Sequence, residues 1–145
     1  MAGAKKHFPT IWVNYNYLIG SLLQLDIKGY FDHITHDWLA YTLRAKGLPA
    51  WTVAFISSWL QDRRATLFFD RAYSEPMEIR AGVPQGSPLS PILAILYLAP
   101  LYETLAVKHP HLSLLGFVDD TNILAFGLLE DSTCRQLEEA WKTCE

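Results

Sequence analysis

Two adjacent aspartates, Asp119 and Asp120, end the apolar run that begins at Leu112, and two more, Asp26 and Asp32, lie far upstream. Neighbouring carboxylates repel one another, so burying them is costly unless a cation lies between them. Phosphoryl and nucleotidyl transfer use pairs of divalent metals about 3.5 to 4 Å apart, bridged by carboxylates, to stabilise the attacking and leaving oxygens. Oxygen ligands suit Mg²⁺, which needs no His or Cys. We therefore predict that Asp26 and Asp119 bridge two metals.

Each acid also has an ordinary structural explanation. An Asp-Asp pair in a hairpin is commonly a turn former. Asp26 fits a solvated strand end, and Asp32 fits a residue that bonds local backbone. The segment GVPQGSPLSP, from Gly82 to Pro91, is rich in the residues that punctuate loops. The combination of these features, and not any one of them, favours catalysis.

The predicted strands would bring three of the acids together. Residues 18–27 form an apolar run typical of a central strand buried on both faces, and Asp26 ends it. Residues 112–118 and 121–126 predict two strands with Asp119 and Asp120 at the tip of a tight hairpin. A strand end and a hairpin tip on a neighbouring strand would place these carboxylates at one point.

Helices and a second hairpin fill the intervening sequence. Thr35 is predicted to cap a helix over residues 36–46, and a helix over 50–60 carries Trp51, Phe55 and Trp59 at the spacing of a core stripe. Residues 65–70 and 76–80 predict a hairpin around 71–74. Two further helices are expected, one from Ser90 to about residue 107, interrupted by Pro100, and one capped by Asp131.

Composition limits the possible functions. With 145 residues, half of them hydrophobic, the chain is long enough for one domain with a core, and disorder is not expected. Its net charge of −3 lacks the basic excess typical of nucleic-acid binders. Either nucleic acid is not the ligand, or the basic parts that grip it lie on other segments.

Compartment and membrane association are inferred from cysteines and hydropathy. Cys134 and Cys144 lack metal-ligand spacing, which favours reduced thiols in an intracellular protein, nuclear or cytoplasmic. Residues 1–6 are mildly basic but do not open a signal peptide. The most apolar run, residues 89–101, is shorter than the roughly 20 residues of a membrane span, so we predict a buried core helix and no membrane partner.

Several basic residues are predicted to be ordinary surface groups. Arg63 and Arg64 follow a helix end, where solvation or the helix dipole explains them. His109 and His111 flank a proline in a predicted turn with exposed imidazoles, and His33 and His36 are interpreted in the same way.

Three motifs in order carry a family resemblance. Asp26 with Phe31-Asp32, the GVPQGSPLSP segment and Phe117-Val118-Asp119-Asp120 resemble motifs A, B and C of reverse transcriptases. The segments LDIKGYFDHI and QGSPLSPIL are most similar to the corresponding segments of non-LTR retrotransposon enzymes, and group II intron enzymes are second. The resemblance runs from about Leu22 to Phe126.

The resemblance implies roles for individual residues. Asp26 and Asp119 would bind both Mg²⁺ ions, or Mn²⁺, with Asp120 supporting the site and the Ile27 carbonyl ligating the nucleotide-side metal. Phe31 would lie under the sugar and exclude a 2′-hydroxyl. Two residues of the loop, Gln85 and Gly86, would contact the incoming nucleotide and template. The implied partners are an RNA template, a DNA primer and a deoxynucleoside triphosphate.

The implied fold is an α/β (α+β) polymerase palm, a small, mostly antiparallel sheet with helices packed on one face. Residues 1–21 would be a short N-terminal extension and 22–145 a partial palm domain. Fingers, a motif D lysine and a thumb are not recognisable, so a truncated copy is expected. Two functions remain open, an RNA-directed DNA polymerase palm fragment and a catalytically dead remnant that at most binds metal weakly or acts as an interaction module.

Overall fold

The computed structural model describes residues 10–12 and 18–145, with side chains from residue 18 onward. The predictions about residues 1–6 lie outside the described residues. Two compact units account for the rest. The sheet unit comprises the described residues up to Lys28 together with Leu98–Glu145, and the helical unit comprises Gly29–Tyr97.

The sheet unit contains one four-stranded antiparallel sheet. Its strands are β1 (Thr10–Trp12), β2 (Ile19–Leu25), β7 (Ser113–Phe117) and β8 (Asp120–Gly127), in the order β1-β2-β8-β7. The four other strands that the structure describes belong to the helical unit. The predicted strands at 18–27, 112–118 and 121–126 are confirmed within two residues. The domain boundary expected between residues 21 and 22 falls inside β2 and remains a prediction.

Alternation along the strands creates one covered and one open face. Leu23 and Leu25 of β2 and Ile123 and Ala125 of β8 are buried, whereas Gln24 is exposed. Helix α5 (Glu130–Cys144) covers the buried face, and its inward residues are Thr133, Leu137, Ala140 and Cys144. The prediction that β2 is buried on both faces was therefore wrong. An open face is available to a ligand.

The helical unit holds three complete helices, the first part of a fourth, and one hairpin with two short ladders. Its helices are α1 (Tyr30–His33), α2 (His36–Ala45) and α3 (Ala50–Leu60). The chain then forms β3 (Arg64–Ala65) paired with β6 (Met77–Glu78), and β4 (Phe68–Phe69) paired with β5 (Ala72–Tyr73). The predicted hairpin is confirmed, but its tip lies at Asp70 and Arg71, both with positive φ, and not at 71–74.

The caps and the buried face of the predicted helices differ in the structure. Helix α5 begins at Glu130, so Asp131 lies within its first turn and does not cap it. The side chains of Trp51 and Phe55 are 73% and 59% exposed, and the buried stripe of α3 is Val53, Ile56 and Leu60 instead. Thr35 precedes α2 as expected but makes no capping bond, and its hydroxyl lies 3.2 Å from the Tyr97 hydroxyl.

Helix α4 (Leu89–Lys108) runs from the helical unit into the sheet unit and continues through Pro100. At 20 residues it is longer than the apolar run that predicted it, and by length and composition alone it could cross a bilayer. A core helix passes the same test, and Leu93, Ala94, Leu98 and Leu105 of α4 are buried. The length argument against a membrane span was therefore wrong, and the absence of a membrane partner stays a prediction.

Candidate active site

Asp26 directly follows β2, at the end of the sheet where the β7–β8 hairpin turns. The last residue of β2, Leu25, is opposite Thr121 of β8. Asp26 and Asp120 each stand one residue beyond that pair, so they lie at the same end of the sheet. Leu25 and Thr121 are buried, and strand alternation directs their neighbours to the open face. Asp26 and Asp120 are both exposed.

The hairpin tip carries the other acid. Phe117 pairs with Asp120, which leaves Val118 and Asp119 as a two-residue turn. The predicted tight hairpin is confirmed with Asp119 in its turn, but the turn lies one residue earlier than predicted, and Asp120 is the first residue of β8. Val118 has φ 56°, an unfavourable value for a β-branched residue. Backbone strain of this kind costs on the order of 1 to 3 kcal/mol and concentrates at functional sites.

The acids supply suitable ligands for a hard cation but are not gathered around one. Asp26, Asp119 and Asp120 offer carboxylate oxygens, the donors that Mg²⁺ prefers. Asp119 is partly buried and the other two are exposed. Among the residues the structure describes, no three His, Cys, Asp or Glu side chains form a group that could hold a metal ion. The donor chemistry and the strand register fit a divalent metal, whereas the three side chains do not form a preassembled cage.

A separate cleft in the helical unit gathers the predicted nucleotide-contacting residues. It measures about 390 Å³ and is lined by Phe31, Gln85, Gly86, Ser87, Pro88, Ser90 and Pro91. The Gln85 amide nitrogen lies 3.4 Å from an Asp32 carboxylate oxygen, a long hydrogen bond that links the loop to α1. Gly86 has φ 87°, and a Cβ placed there would meet nothing within 4 Å. Phe31, Gln85 and Gly86 therefore share one open, mostly apolar cleft.

Local hydrogen bonds shape the loop of residues 82–88, hereafter the 82–88 loop. The Ser90 hydroxyl donates to the Pro84 carbonyl, which ties the first turn of α4 back to the loop. The Tyr30 hydroxyl donates to the Ala94 carbonyl at 2.6 Å, so α1 is bonded to α4. The Ser90 side chain thus binds the loop.

Two basic residues predicted to be solvated instead contact this loop. Arg63 Nη1 lies 2.7 Å and His36 Nε2 lies 2.9 Å from the Gly82 carbonyl oxygen, and both side chains are partly buried. Their partner is 19 and 46 residues away in the sequence, so no local pattern could have revealed these contacts. The surface interpretation of Arg63 and His36 was wrong.

The other histidines in the described part of the chain divide between surface and interior. His33 is exposed, as predicted, and its Nδ1 lies 2.7 Å from the Gly29 carbonyl. His109 is only 8% exposed, and its Nε2 lies 3.0 Å from the Thr143 hydroxyl. The predicted exposure of His109 was therefore wrong, because its ring packs towards α5 while His111 remains exposed.

A small antiparallel sheet with helices packed on one face is the fold of a polymerase palm. A solved chain shares this fold, in a structure described as apo telomerase from Candida Tropicalis truncated from the C-terminal domain. The TM-score is 0.62 at 18% identity, over 85% of the present chain and 26% of the other. That likeness supports the fold alone.

Sequence comparison identifies the family. Residues 17–145 match the family described as reverse transcriptase (RNA-dependent DNA polymerase). The chain therefore belongs to the reverse transcriptase family.

Its relatives include proteins of non-LTR retrotransposons, as the motif sequences predicted. The chain is 33% identical over 118 residues to the probable RNA-directed DNA polymerase from transposon BS of Drosophila melanogaster. It is 40% identical over 75 residues to the corresponding protein of transposon X-element from the same organism. These matches cover 79% and 52% of the present chain but only 13% and 8% of the relatives, so the chain spans a small part of their length.

Proposed function

We propose that this chain is the palm of an RNA-directed DNA polymerase and takes part in adding deoxynucleotides to a primer 3′ end on an RNA template. The observation that carries the proposal is the position of Asp26, Asp119 and Asp120 at one end of one sheet, in a chain of the reverse transcriptase family. Carboxylates grouped at one end of a sheet attract divalent cations, and a ligand that carries such cations can bind there. A metal-bound triphosphate is such a ligand.

Asp26 and Asp119 are the proposed ligands of two Mg²⁺ ions, which Mn²⁺ could replace, with Asp120 supporting them and the Ile27 carbonyl facing the nucleotide-side ion. Such a metal pair stabilises charge on the attacking and leaving oxygens. Mg²⁺ typically binds one or two carboxylates together with substrate phosphates and water. A preassembled cage of three acids is therefore not required, which is consistent with the exposed positions of Asp26 and Asp120.

The cleft of the helical unit is the proposed site of the nucleotide sugar and base. The Phe31 ring is half-buried and packs edge-on against the Tyr30 ring, with 5.9 Å between the ring centroids. This packing would let the Phe31 ring exclude a 2′-hydroxyl sterically. Gln85 supplies an amide donor and acceptor for the incoming nucleotide or template. Gly86, with open space at its Cα, permits close approach of a base.

Primer extension on an RNA template with Mg²⁺ tests the proposal. In the transfer, the primer 3′-hydroxyl loses its proton to water and its oxygen bonds to the α-phosphorus. The bond between the α-phosphorus and the oxygen that bridges it to the β-phosphate breaks, and pyrophosphate leaves. Asp119→Asn keeps the side-chain shape but removes its charge, and we expect extension to fall by at least about a hundredfold. Asp131→Asn, in the exposed first turn of α5, is the matched control and should extend like the parent.

Equal extension by the Asp119→Asn and parent chains would reject the proposed role of the acids. A parent chain that neither extends a primer nor binds the primer–template duplex above background at physiological salt would support the inactive remnant instead.

A further inference from the structure

The carbonyl oxygen of Gly82, at the start of the 82–88 loop, accepts two side-chain hydrogen bonds. One comes from Arg63 Nη1 at 2.7 Å and the other from His36 Nε2 at 2.9 Å. A carbonyl oxygen has two lone pairs, so these donors use its full capacity. Because a carbonyl can only accept, His36 Nε2 carries a proton in this contact. The Arg63 bond is charge-assisted, which makes it the stronger of the two when His36 is neutral.

The same stretch of backbone is bonded to α1 and the residue that follows it. The Gly82 amide donates to the Ile34 carbonyl and the Val83 amide donates to the Phe31 carbonyl, each at 2.8 Å. A Cβ on Gly82 would lie 2.8 Å from the Phe31 carbonyl oxygen, so the two backbones are too close for a side chain at residue 82. Gly82 is therefore held on one face by backbone and on the other by Arg63 and His36.

Arg63 reaches this carbonyl because of the turn that precedes it. Helix α3 ends at Leu60, and Asp62 adopts a positive φ of 54° that reverses the chain. The Ile79 amide then donates to the Arg63 carbonyl at 2.9 Å, which fixes the Arg63 backbone beside the returning strand. The neighbouring Arg64 is exposed and lies opposite Glu78 in the β3–β6 ladder. Two adjacent arginines thus have different environments, and only Arg63 contacts the loop.

We propose that Arg63 and His36 are positioning residues that hold Gly82 and thereby set the separation of Phe31 and Gln85 across the 390 Å³ cleft. The inference rests on the proposed function, because the cleft is taken to hold the nucleotide. The Phe31 carbonyl accepts a hydrogen bond from the Val83 amide, next to Gly82, and Gln85 lies three residues beyond Gly82. Loosening Gly82 frees Gln85 to move away from Phe31. Nucleotide affinity and discrimination against the 2′-hydroxyl then both depend on residues that do not touch the nucleotide.

Amide hydrogen exchange tests the mechanical part without any need for catalysis. In the isotope-labelled chain, we expect Arg63→Gln to accelerate exchange of the Val83 amide about tenfold through loss of a charge-assisted bond. His36→Gln should have a smaller effect in the same direction. Arg64→Gln removes the same charge one residue away and should leave Val83 exchange within about twofold of the parent. The Leu43 amide in α2 reports whether any variant has simply lost its fold.

Nucleotide binding tests the specificity part. With Mg²⁺ and an RNA–DNA primer–template present, deoxyuridine triphosphate and uridine triphosphate, which differ only in the 2′-hydroxyl, are titrated separately while the Gly86 amide resonance is followed. We expect Arg63→Gln to weaken binding of the deoxynucleotide about tenfold and to reduce its preference over the ribonucleotide. Arg63→Lys, which keeps a cationic donor, should recover part of the preference. A purely structural role would not change the ratio of the two affinities.

The outcomes separate this inference from the polymerase proposal. If the Val83 amide exchanges at the parent rate in Arg63→Gln, the proposal that Arg63 and His36 hold Gly82 is wrong, whatever the activity of the chain. Faster exchange with an unchanged affinity ratio overturns the link to specificity, as does a parent chain that binds neither nucleotide. A parent chain that binds deoxynucleotide but never extends a primer counts against the polymerase proposal alone, since the clamp is judged by exchange and affinity.

Discussion

At the scale of single residues, two glycines of the 82–88 loop have similar backbones and different surroundings. Gly82 and Gly86 have φ values of 79° and 87°, a region that side chains rarely adopt. A Cβ on Gly82 would lie 2.8 Å from the Phe31 carbonyl oxygen and 2.9 Å from the Asp32 Cα, whereas a Cβ on Gly86 would meet nothing within 4 Å. One glycine allows close packing, and the other leaves the cleft open.

Alanine substitution should separate these two roles. Each substitution incurs the backbone cost of a left-handed alanine, about 1 to 2 kcal/mol. Gly82→Ala must also push backbone apart, so we expect its free energy of unfolding to fall by about a further 1 to 3 kcal/mol relative to Gly86→Ala. Urea denaturation of both variants and the parent measures the difference. Equal losses would show that the Gly82 contacts with Phe31 and Asp32 are not tight in solution.

At the scale of elements, α3 shows where a sequence pattern fails to select a buried face. Trp51, Phe55 and Trp59 and the set Val53, Ile56 and Leu60 both have helical spacing, because the helix is apolar nearly all round. The helical spacing of the aromatic residues predicted that they are buried, but the smaller aliphatic residues are the ones buried. Only packing against α2 and the rest of the unit decides between two such stripes.

Neighbouring truncations in α3 test this assignment. Ile56 is 6% exposed and Phe55 is 59% exposed. Ile56→Ala should lower the free energy of unfolding by about 2 to 4 kcal/mol through lost burial and a cavity. Phe55→Ala should cost less than about 1 kcal/mol, although it removes more apolar atoms. If chemical denaturation instead ranks Phe55→Ala as the more damaging, the aromatic face of α3 is covered in solution.

The Cys144 thiol in helix α5 makes the free energy of unfolding depend on pH in the alkaline range. Burial of Cys144 raises its pKa from 9.0 to about 11. Between these values the unfolded chain loses the thiol proton while the native chain keeps it, so the native state binds more protons and stability falls as pH rises. The stabilising effect of the protonated thiol is complete below about pH 9 and is lost towards pH 11. The slope is at most about 1.4 kcal/mol per pH unit.

Urea denaturation at several alkaline pH values measures this contribution. Cys144→Ala should be less stable than the parent at neutral pH because of the lost packing, but it should show a shallower fall between about pH 9 and 11. Cys134→Ala, altered at a partly exposed thiol of the same helix, serves as the control and should retain the parent slope. Parallel curves for the parent and Cys144→Ala would remove Cys144 as the source of the dependence.

At the scale of the whole molecule, the sequence was informative where the determining interactions are local. The apolar runs at residues 18–27, 112–118 and 121–126 predicted the strands and the hairpin, which are confirmed. The one-sided burial of β2 and the strand register were not predicted. The contacts of Arg63, His36 and His109 depend on partners brought close by folding, and local pattern assigned all three to the surface. The proposed metal ligands and the proposed nucleotide contacts belong to different units. Asp26, Asp119 and Asp120 lie in the sheet unit, and Phe31 and Gln85 lie in the helical unit.

The net charge of −3 and the acids at one end of the sheet together predict a stability that depends on divalent metal. Without metal, Asp26, Asp119 and Asp120 repel one another, so Asp120→Asn should raise the free energy of unfolding by up to about 1 kcal/mol. About 10 mM Mg²⁺ binds the native acids and stabilises the parent by mass action. In Asp120→Asn that Mg²⁺ gain should shrink, whereas Asp131→Asn should keep it. Denaturation with a chelator or Mg²⁺, at ionic strength matched with NaCl, removes general screening as the cause. The same Mg²⁺ gain in parent and Asp120→Asn chains would mean that the ion does not bind at this end of the sheet.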